Sequence, residues 1–212
     1  MLNFELYNPV RIIFGPGEAE NIGKYTKEYG TKAMLVTYDV HDFFNELLAK
    51  LDKSFKDAGV TVTEFFKVKP NPRLSDIEEA IDICRKEGIE VIVALGGGSV
   101  MDSAKAIGAG VKYDGDPWKM FVSRHDKAVA VPPTDTLPTI MIPTKSATSS
   151  ETNNVAVATN DRTHEKAYIW APVLYPKICV MDPCVTATLP KFPMAAGAVD
   201  AMSHVLEAYL NG

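Results

Sequence analysis

Three consecutive glycines, Gly96-Gly97-Gly98, separate an apolar run that ends at Leu95 from a helical pattern that begins at Ser99. The apolar run is typical of a buried parallel strand. Glycine lets the backbone turn sharply and approach another group closely. We predict that Ser99 caps the helix and that Asp102 is a capping partner favoured by the helix dipole. Because free N–H groups at a helix N-terminus hold phosphate, this turn is a candidate phosphate site.

The same turn can also be interpreted as a tight strand-to-helix connection without a ligand. Three glycines in a row favour the phosphate site over this simpler interpretation. The run nevertheless differs from the spaced glycines of the common dinucleotide fingerprint and from the P-loop lysine motif.

A hydroxyl-rich segment, residues 143–151, follows a short predicted strand over residues 139–142. The segment is too polar, and its side chains are too small, for a hydrophobic core. Two interpretations stay open: a solvated loop, or a second wall of hydrogen-bond donors for a phosphate or a nicotinamide.

Asp200 and His204 lie four residues apart in a predicted helix over residues 192–210. At this spacing both side chains share one helical face, and together they suit iron, zinc or manganese. A surface ion pair is the alternative, because a metal site needs three or four protein ligands. The other histidines lie in unrelated parts of the sequence: His41, His125 and His164. The pair is therefore either a surface ion pair or part of a metal site whose remaining ligands lie outside these 212 residues.

Strands and helices alternate through the first half of the chain. Predicted strands cover residues 10–14, 33–37, 60–66 and 90–95, and predicted helices end near residues 29, 58, 87 and 110. This alternation implies a parallel sheet covered on both faces by helices, in which ligands bind beyond the carboxyl ends of the strands. Ser75-Asp76-Ile77-Glu78 predicts a capping box. Further along we predict a loop over residues 113–118, a β-hairpin around Asn160-Asp161-Arg162 and a strand over residues 177–181.

The bulk composition excludes several classes of protein. A formal net charge of −5 argues against a nucleic-acid partner. Three cysteines without a CxxC motif indicate reduced thiols and a cytoplasmic protein. We find no signal peptide and no apolar run long enough for a membrane span. The apolar face of the last helix, with Val199 and Met202, needs partner helices or a second copy, and we expect a homodimer.

Taken together, the motifs resemble those of the iron-containing (group III) alcohol dehydrogenase family. The segments that carry the resemblance are residues 13–17, 69–72, 96–106, 143–151, 182–183, 188–190 and 197–204. The sequence Tyr113-Asp114-Gly115-Asp116-Pro117-Trp118 is most similar to the butanol dehydrogenase branch. Lys145-Ser146 departs from the family, because many relatives have a threonine and a small residue there.

The resemblance implies an α/β dinucleotide-binding domain over residues 1–183. Residues 184–212 would be the first helix of an all-helical metal-binding domain, with the active site in the cleft between the two. The implied cofactor-binding residues are Gly97, Gly98, Ser99, Asp102, Thr144, Thr148 and Lys166. Asp102 and Lys166 would serve catalysis by positioning the reactants. Asp200 and His204 would be the first two ligands of Fe²⁺, with Zn²⁺ as the alternative, and two later histidines would complete the set.

The implied activity interconverts small primary alcohols and aldehydes. The metal would polarise the substrate oxygen while the nicotinamide exchanges a hydride. Asp39 follows the second strand, where an acidic side chain favours NAD over NADP by bonding the ribose 2′-hydroxyl, although the register leaves Tyr38 as an alternative and NADP stays open. Two other hypotheses remain: a dinucleotide-binding module that cannot catalyse alone, and an enzyme resembling glycerol dehydrogenase or dehydroquinate synthase.

Overall fold

The computed structural model describes residues 3, 5–39, 42–123, 130–187 and 189–211. His41, His125 and Thr188 lie outside them. The strands are β1 Arg11–Phe14, β2 Lys32–Tyr38, β3 Thr61–Val68, β4 Val91–Gly96, β5 Thr139–Pro143, β6 Val155–Asn160, β7 Glu165–Trp170 and β8 Ile178–Met181. The helices are α1 Ile22–Lys27, α2 Asn45–Ala58, α3 Leu74–Glu87, α4 Gly98–Lys112, α5 Pro183–Thr186 and α6 Lys191–Leu210.

Six strands form a parallel sheet in the order β1-β8-β5-β4-β2-β3. From β2 the chain moves outward to β3, and from β4 it moves outward in the other direction to β5. The strand order therefore reverses between the neighbouring strands β2 and β4. In open α/β sheets, the crevice at the carboxyl ends of two such strands is where ligands bind.

Alternate residues of the central strands pack into two apolar layers, one on each face of the sheet. Met34 and Ile92 belong to the layer that contains α3 and α4, and Leu35 and Val93 belong to the layer that contains α1 and α2. Every residue of β4 is buried, as its continuous apolar sequence predicts. The predicted parallel sheet with helices on both faces is confirmed.

The start of α4 differs from the prediction. The helix begins at Gly98, with Gly97 in the capping position and no side-chain cap. Ser99 is therefore not the cap, and its carbonyl accepts a 2.8 Å hydrogen bond from the hydroxyl of Ser103. Asp102 is not a capping partner, because its carboxylate binds a distant segment. Among the described residues, the positive-φ glycines are Gly17, Gly59, Gly88 and Gly115, so the turn at residues 96–98 is not made by left-handed backbone.

The predicted capping box at α3 is also wrong. This helix begins at Leu74, two residues earlier than a cap at Ser75 predicts, and its capping residue, Arg73, makes no side-chain cap. The backbone N–H of Ser75 donates instead to Asp161 Oδ1 at 3.1 Å, from the turn of the β6–β7 hairpin. A carboxylate supplied by tertiary contact thus satisfies the orphan donor that a local side chain was expected to bind.

The hairpin itself is confirmed, with β6 antiparallel to β7 and its turn over residues 161–164. The predicted loop over residues 113–118 ends in a short 3-10 helix, Pro117–Met120. Trp118 in this helix is buried in the α3–α4 layer.

The last helix, α6, carries apolar side chains on its surface. Val199, Met202 and Val205 are more than 60% exposed. None of the described helices is both long enough and apolar enough to cross a bilayer. All three cysteines are free thiols, with Cys84 and Cys179 buried and Cys184 exposed.

Candidate functional site

A hydrogen bond connects β2 and β4 at the point where the strand order reverses. The backbone N–H of Gly97 donates to the hydroxyl oxygen of Tyr38 at 2.9 Å. Burial raises the pKa of Tyr38, against the smaller opposing effect of this hydrogen bond. Tyr38 was considered in the sequence only as an alternative to Asp39, and its contact with the glycine turn was missed.

The glycine turn is packed closely against the hydroxyl-rich segment. A Cβ atom on Gly98 would lie 2.9 Å from Thr148 Oγ1 and 3.1 Å from Thr148 Cγ2. The N–H of Thr144 donates to the carbonyl of Gly96 at 3.1 Å, and the Thr144 side chain is buried. Ser150 is buried as well, whereas Ser146, Thr148 and Ser149 are exposed, so the segment is only partly solvated. It forms a wall beside the turn, and the binding of a phosphate or a nicotinamide by this wall stays a prediction.

The N-terminus of α4 offers hydrogen-bond donors at this wall. Gly98 and Ser99 are the first two residues of the helix, and their N–H groups have no acceptor within it. The partial positive charge of the helix end adds to these donors. The turn therefore has the donor set that a phosphate group requires.

Asp102 lies one turn further along α4 and faces the hairpin. Its Oδ1 accepts a 2.6 Å hydrogen bond from the hydroxyl of Ser150, and its Oδ2 accepts a 3.1 Å hydrogen bond from the N–H of Val157. Burial raises the pKa of Asp102, and the hydrogen bond from Ser150 and the charge of Lys105 oppose this shift.

Lys105 is fully buried and was missed as a functional residue by sequence reasoning. Its ammonium donates to Ser150 Oγ at 3.0 Å, to Asn153 Oδ1 at 2.9 Å and to the carbonyl of Val155 at 2.9 Å. Burial lowers the pKa of Lys105 to about 8, against the attraction of the nearby acidic groups. The sequence signal for Lys105 was its position in the predicted helix, three residues after Asp102.

Two of the predicted cofactor residues lie around the rim of this site. Lys166 on β7 donates to Asn71 Oδ1 at 3.1 Å, and its charge acts on Asp102. Asp39, directly after β2, lies 3.8 Å from the ammonium of Lys69. Both side chains of that ion pair are partly exposed.

The predicted metal ligands lie on α6. Asp200 Oδ1 and His204 Nε2 are 3.8 Å apart, with side chains 44% and 57% exposed. Their donor chemistry fits a borderline divalent ion. Within residues 3, 5–39, 42–123, 130–187 and 189–211, no group of three or more histidine, cysteine, aspartate or glutamate side chains could hold a metal. Asp200 and His204 could therefore supply two ligands of a metal site, but not the complete set.

The helix that carries this pair packs against the segment that follows β5. A Cβ atom on Gly197 would lie 2.3 Å from the carbonyl oxygen of Ser146 and 2.8 Å from Lys145 Cε. Glycine at position 197 thus permits the close approach of α6. Beside this contact lies a cleft of about 320 Å³, at the carboxyl ends of β1, β5 and β8. Its lining includes Phe14, Lys145, Ser146, Glu151, Met181 and Thr186.

A family model described as iron-containing alcohol dehydrogenase matches residues 9–183. The chain belongs to this family. Known proteins align over its whole length. The probable NADH-dependent butanol dehydrogenase 1 of Bacillus subtilis is 40% identical, with 100% of this chain and 53% of that protein covered. NADH-dependent butanol dehydrogenase A of Clostridium acetobutylicum is 37% identical over the same shares.

A solved structure has the same fold. The crystal structure of NADH-dependent butanol dehydrogenase A from Thermotoga maritima has a TM-score of 0.86 and 40% identity, over 97% of this chain and 50% of that one. The chain thus spans about half the length of the relatives that it matches.

Proposed function

We propose that this chain supplies the dinucleotide-binding half of a metal-dependent, NAD-linked oxidoreductase that interconverts small primary alcohols and aldehydes. The observation that carries the proposal is the meeting of the α4 N-terminus with Thr148 and Tyr38 where the strand order reverses. The relatives named above as NADH-dependent butanol dehydrogenases support the substrate class.

In this proposal the N–H groups at the start of α4 bind the cofactor pyrophosphate. Thr144 and Thr148 line the cofactor, and Lys166 reaches its ribose. Asp102 lies toward the nicotinamide end. Asp200 and His204 would hold a divalent metal, Fe²⁺ or Zn²⁺, which when bound supplies a Lewis acid for the substrate oxygen. The domain boundary that we propose follows residue 183, and the homodimer remains part of the proposal.

NAD is the cofactor that we propose, because Asp39 presents a carboxylate after β2. Such a carboxylate bonds the ribose 2′-hydroxyl and repels a 2′-phosphate. The test compares NADH and NADPH affinities of the wild type with those of Asp39→Asn, with Asp42→Asn in the following turn as the matched control. We expect Asp39→Asn to narrow the preference for NADH and Asp42→Asn to leave it unchanged. Equal wild-type affinities for both cofactors would contradict the proposal.

The Asp200–His204 pair favours a second function, in which this chain binds a dinucleotide but does not catalyse the reaction on its own. Two donors fall short of the three or four that a metal site requires. The deciding experiment adds Fe²⁺ or Zn²⁺, NADH and butanal to the purified chain. Turnover supports the complete enzyme, and NADH binding without turnover supports the binding function for this chain. Absence of NADH binding overturns both.

A further inference from the structure

The ammonium of Lys105 makes three hydrogen bonds in the protein interior. A protonated lysine carries three N–H donors and no acceptor, and all three donors are used, by Ser150, Asn153 and the carbonyl of Val155. A fully buried ammonium is costly unless its hydrogen bonds are made. The lysine thus ties α4 to the segment over residues 150–155.

The direction of the hydrogen bonds around Ser150 follows from this chemistry. Because the ammonium of Lys105 can only donate, the Ser150 oxygen must accept from it. The single hydroxyl hydrogen of Ser150 is then free for the carboxylate of Asp102, 2.6 Å away. Lys105 therefore fixes the orientation of the hydroxyl, and the hydroxyl fixes Oδ1 of Asp102.

The same network reaches the wall beside the glycine turn. The N–H of Ser150 donates to Thr148 Oγ1 at 3.3 Å, and Thr148 lies against Gly98. On its other side, Asp102 Oδ2 holds the N–H of Val157 in the hairpin. The carboxylate of Asp102 thus joins the start of α4 to the hydroxyl-rich segment and to β6.

We infer that Lys105 is a positioning residue of the dinucleotide site, which does not touch the cofactor. Lys105 holds Ser150, whose hydroxyl orients Asp102 and whose backbone N–H binds Thr148. This inference rests on the proposed dinucleotide site. It predicts that Lys105 and Ser150 act on cofactor affinity as one unit, because removal of either breaks the same link.

The test measures NADH affinity of the purified chain by fluorescence titration in a double-mutant cycle. We expect Lys105→Met and Ser150→Ala each to weaken NADH binding about tenfold, as loss of one hydrogen-bonded link predicts. The double variant should bind no more weakly than either single variant. Losses that multiply in the double variant would overturn the inference.

Two controls separate positioning from general destabilisation. Lys112→Met makes the same substitution at the end of the same helix and should leave NADH affinity unchanged. Leu51→Ala removes a buried side chain from α2, on the other face of the sheet, and should lower the melting temperature without weakening binding. A Leu51→Ala loss of affinity equal to that of Ser150→Ala would overturn the inference.

The remaining outcomes are also decisive. If Lys105→Met fails to fold, wild-type affinity in Ser150→Ala overturns the inference, and a tenfold loss in Ser150→Ala with none in Leu51→Ala supports it. If the wild type binds NADH and every variant binds it equally well, the inference fails and the proposed function stands. If the wild type does not bind NADH, the proposed function fails, and the inference fails with it.

Discussion

The hydroxyl of Tyr38 accepts a hydrogen bond from the backbone N–H of Gly97 at 2.9 Å, across the crevice between β2 and β4. This N–H lies next to the free donors at the start of α4. In the proposed function, a cofactor phosphate at the turn would therefore meet a donor that is already bound to a side chain of the neighbouring strand.

Replacement of Tyr38 by phenylalanine leaves the N–H of Gly97 without its acceptor. We expect the free energy of unfolding to fall by about 1 kcal/mol in the absence of a ligand. The loss should be smaller in saturating NADH, because a phosphate oxygen can accept from the freed donor. Thermal unfolding with and without NADH measures both values, and Tyr209→Phe, at an exposed tyrosine, is the control. An equal loss in both conditions would show that no phosphate reaches this N–H.

Gly98→Ala should weaken NADH binding by about tenfold or more, equivalent to at least ~1.4 kcal/mol. The added Cβ would lie 2.9 Å from Thr148 Oγ1, so the wall must move away from the turn. Gly15→Ala is the matched control, because its Cβ would meet only the flexible side chain of Glu18. NADH titration of both variants provides the measurement. Unchanged affinity of Gly98→Ala would show that the turn is not the phosphate site.

Ser149→Gly should stabilise the chain by about 0.5–1 kcal/mol, because a left-handed backbone is strained for residues with a Cβ atom. Ser149 has a φ of 53° in the middle of the hydroxyl-rich segment. Ser146→Gly, in the same segment and without a positive φ, should not stabilise. Chemical denaturation of both variants tests the difference. A gain in Ser146→Gly of the same size would show that relief of left-handed backbone strain is not the cause.

The Asp200–His204 pair should bind Zn²⁺ weakly, because two ligands leave the coordination incomplete. His204→Ala should abolish this binding, and His164→Ala, in the hairpin turn, should retain it. Competition with a zinc-sensitive dye measures the affinity. Equal Zn²⁺ affinity in both variants would show that Asp200 and His204 form a surface ion pair and do not bind the metal.

Stability should decrease at high pH because two thiols are buried. Burial raises the pKa of Cys84 and Cys179 from 9.0 to about 12. Above pH 9 the unfolded chain loses thiol protons that the folded chain retains, so the stabilisation present below pH 9 is progressively lost up to about pH 12. Cys179→Ala should reduce the loss of unfolding free energy between about pH 8 and about pH 10, and the exposed Cys184→Ala should not. A slope unaltered by Cys179→Ala would contradict the assignment.

Much of the fold was predictable because it depends on local patterns. The continuous apolar sequence of β4 indicates burial on both faces, and the alternation of strands and helices indicates a parallel sheet. The position of the glycine turn after the carboxyl end of β4 followed from the same order. The antiparallel hairpin over residues 155–170 was also evident from its two short runs and the polar turn between them.

Helix starts were less predictable, because a local side chain competes with groups brought from elsewhere. Ser75 looks like a cap in sequence, yet Asp161, 86 positions away, supplies the acceptor. Ser99 is likewise a residue type that is favoured at helix caps, but α4 begins one residue before it. A capping motif shows only which hydrogen-bond acceptor is available locally. In the folded chain, a backbone N–H can bind any acceptor within hydrogen-bond distance.

The sequence by itself determined the sheet, the glycine turn and the residues with the right chemistry for a dinucleotide and part of a metal site. Only the tertiary structure decided which polar groups meet. Lys105 and its three acceptors are 45 to 50 residues apart, and Tyr38 is 59 residues from Gly97. Periodicity reports burial along one element, whereas a hydrogen bond between elements depends on how strands are ordered in the sheet. For that reason the three hydrogen-bond partners of the buried Lys105 could be found only in the folded chain.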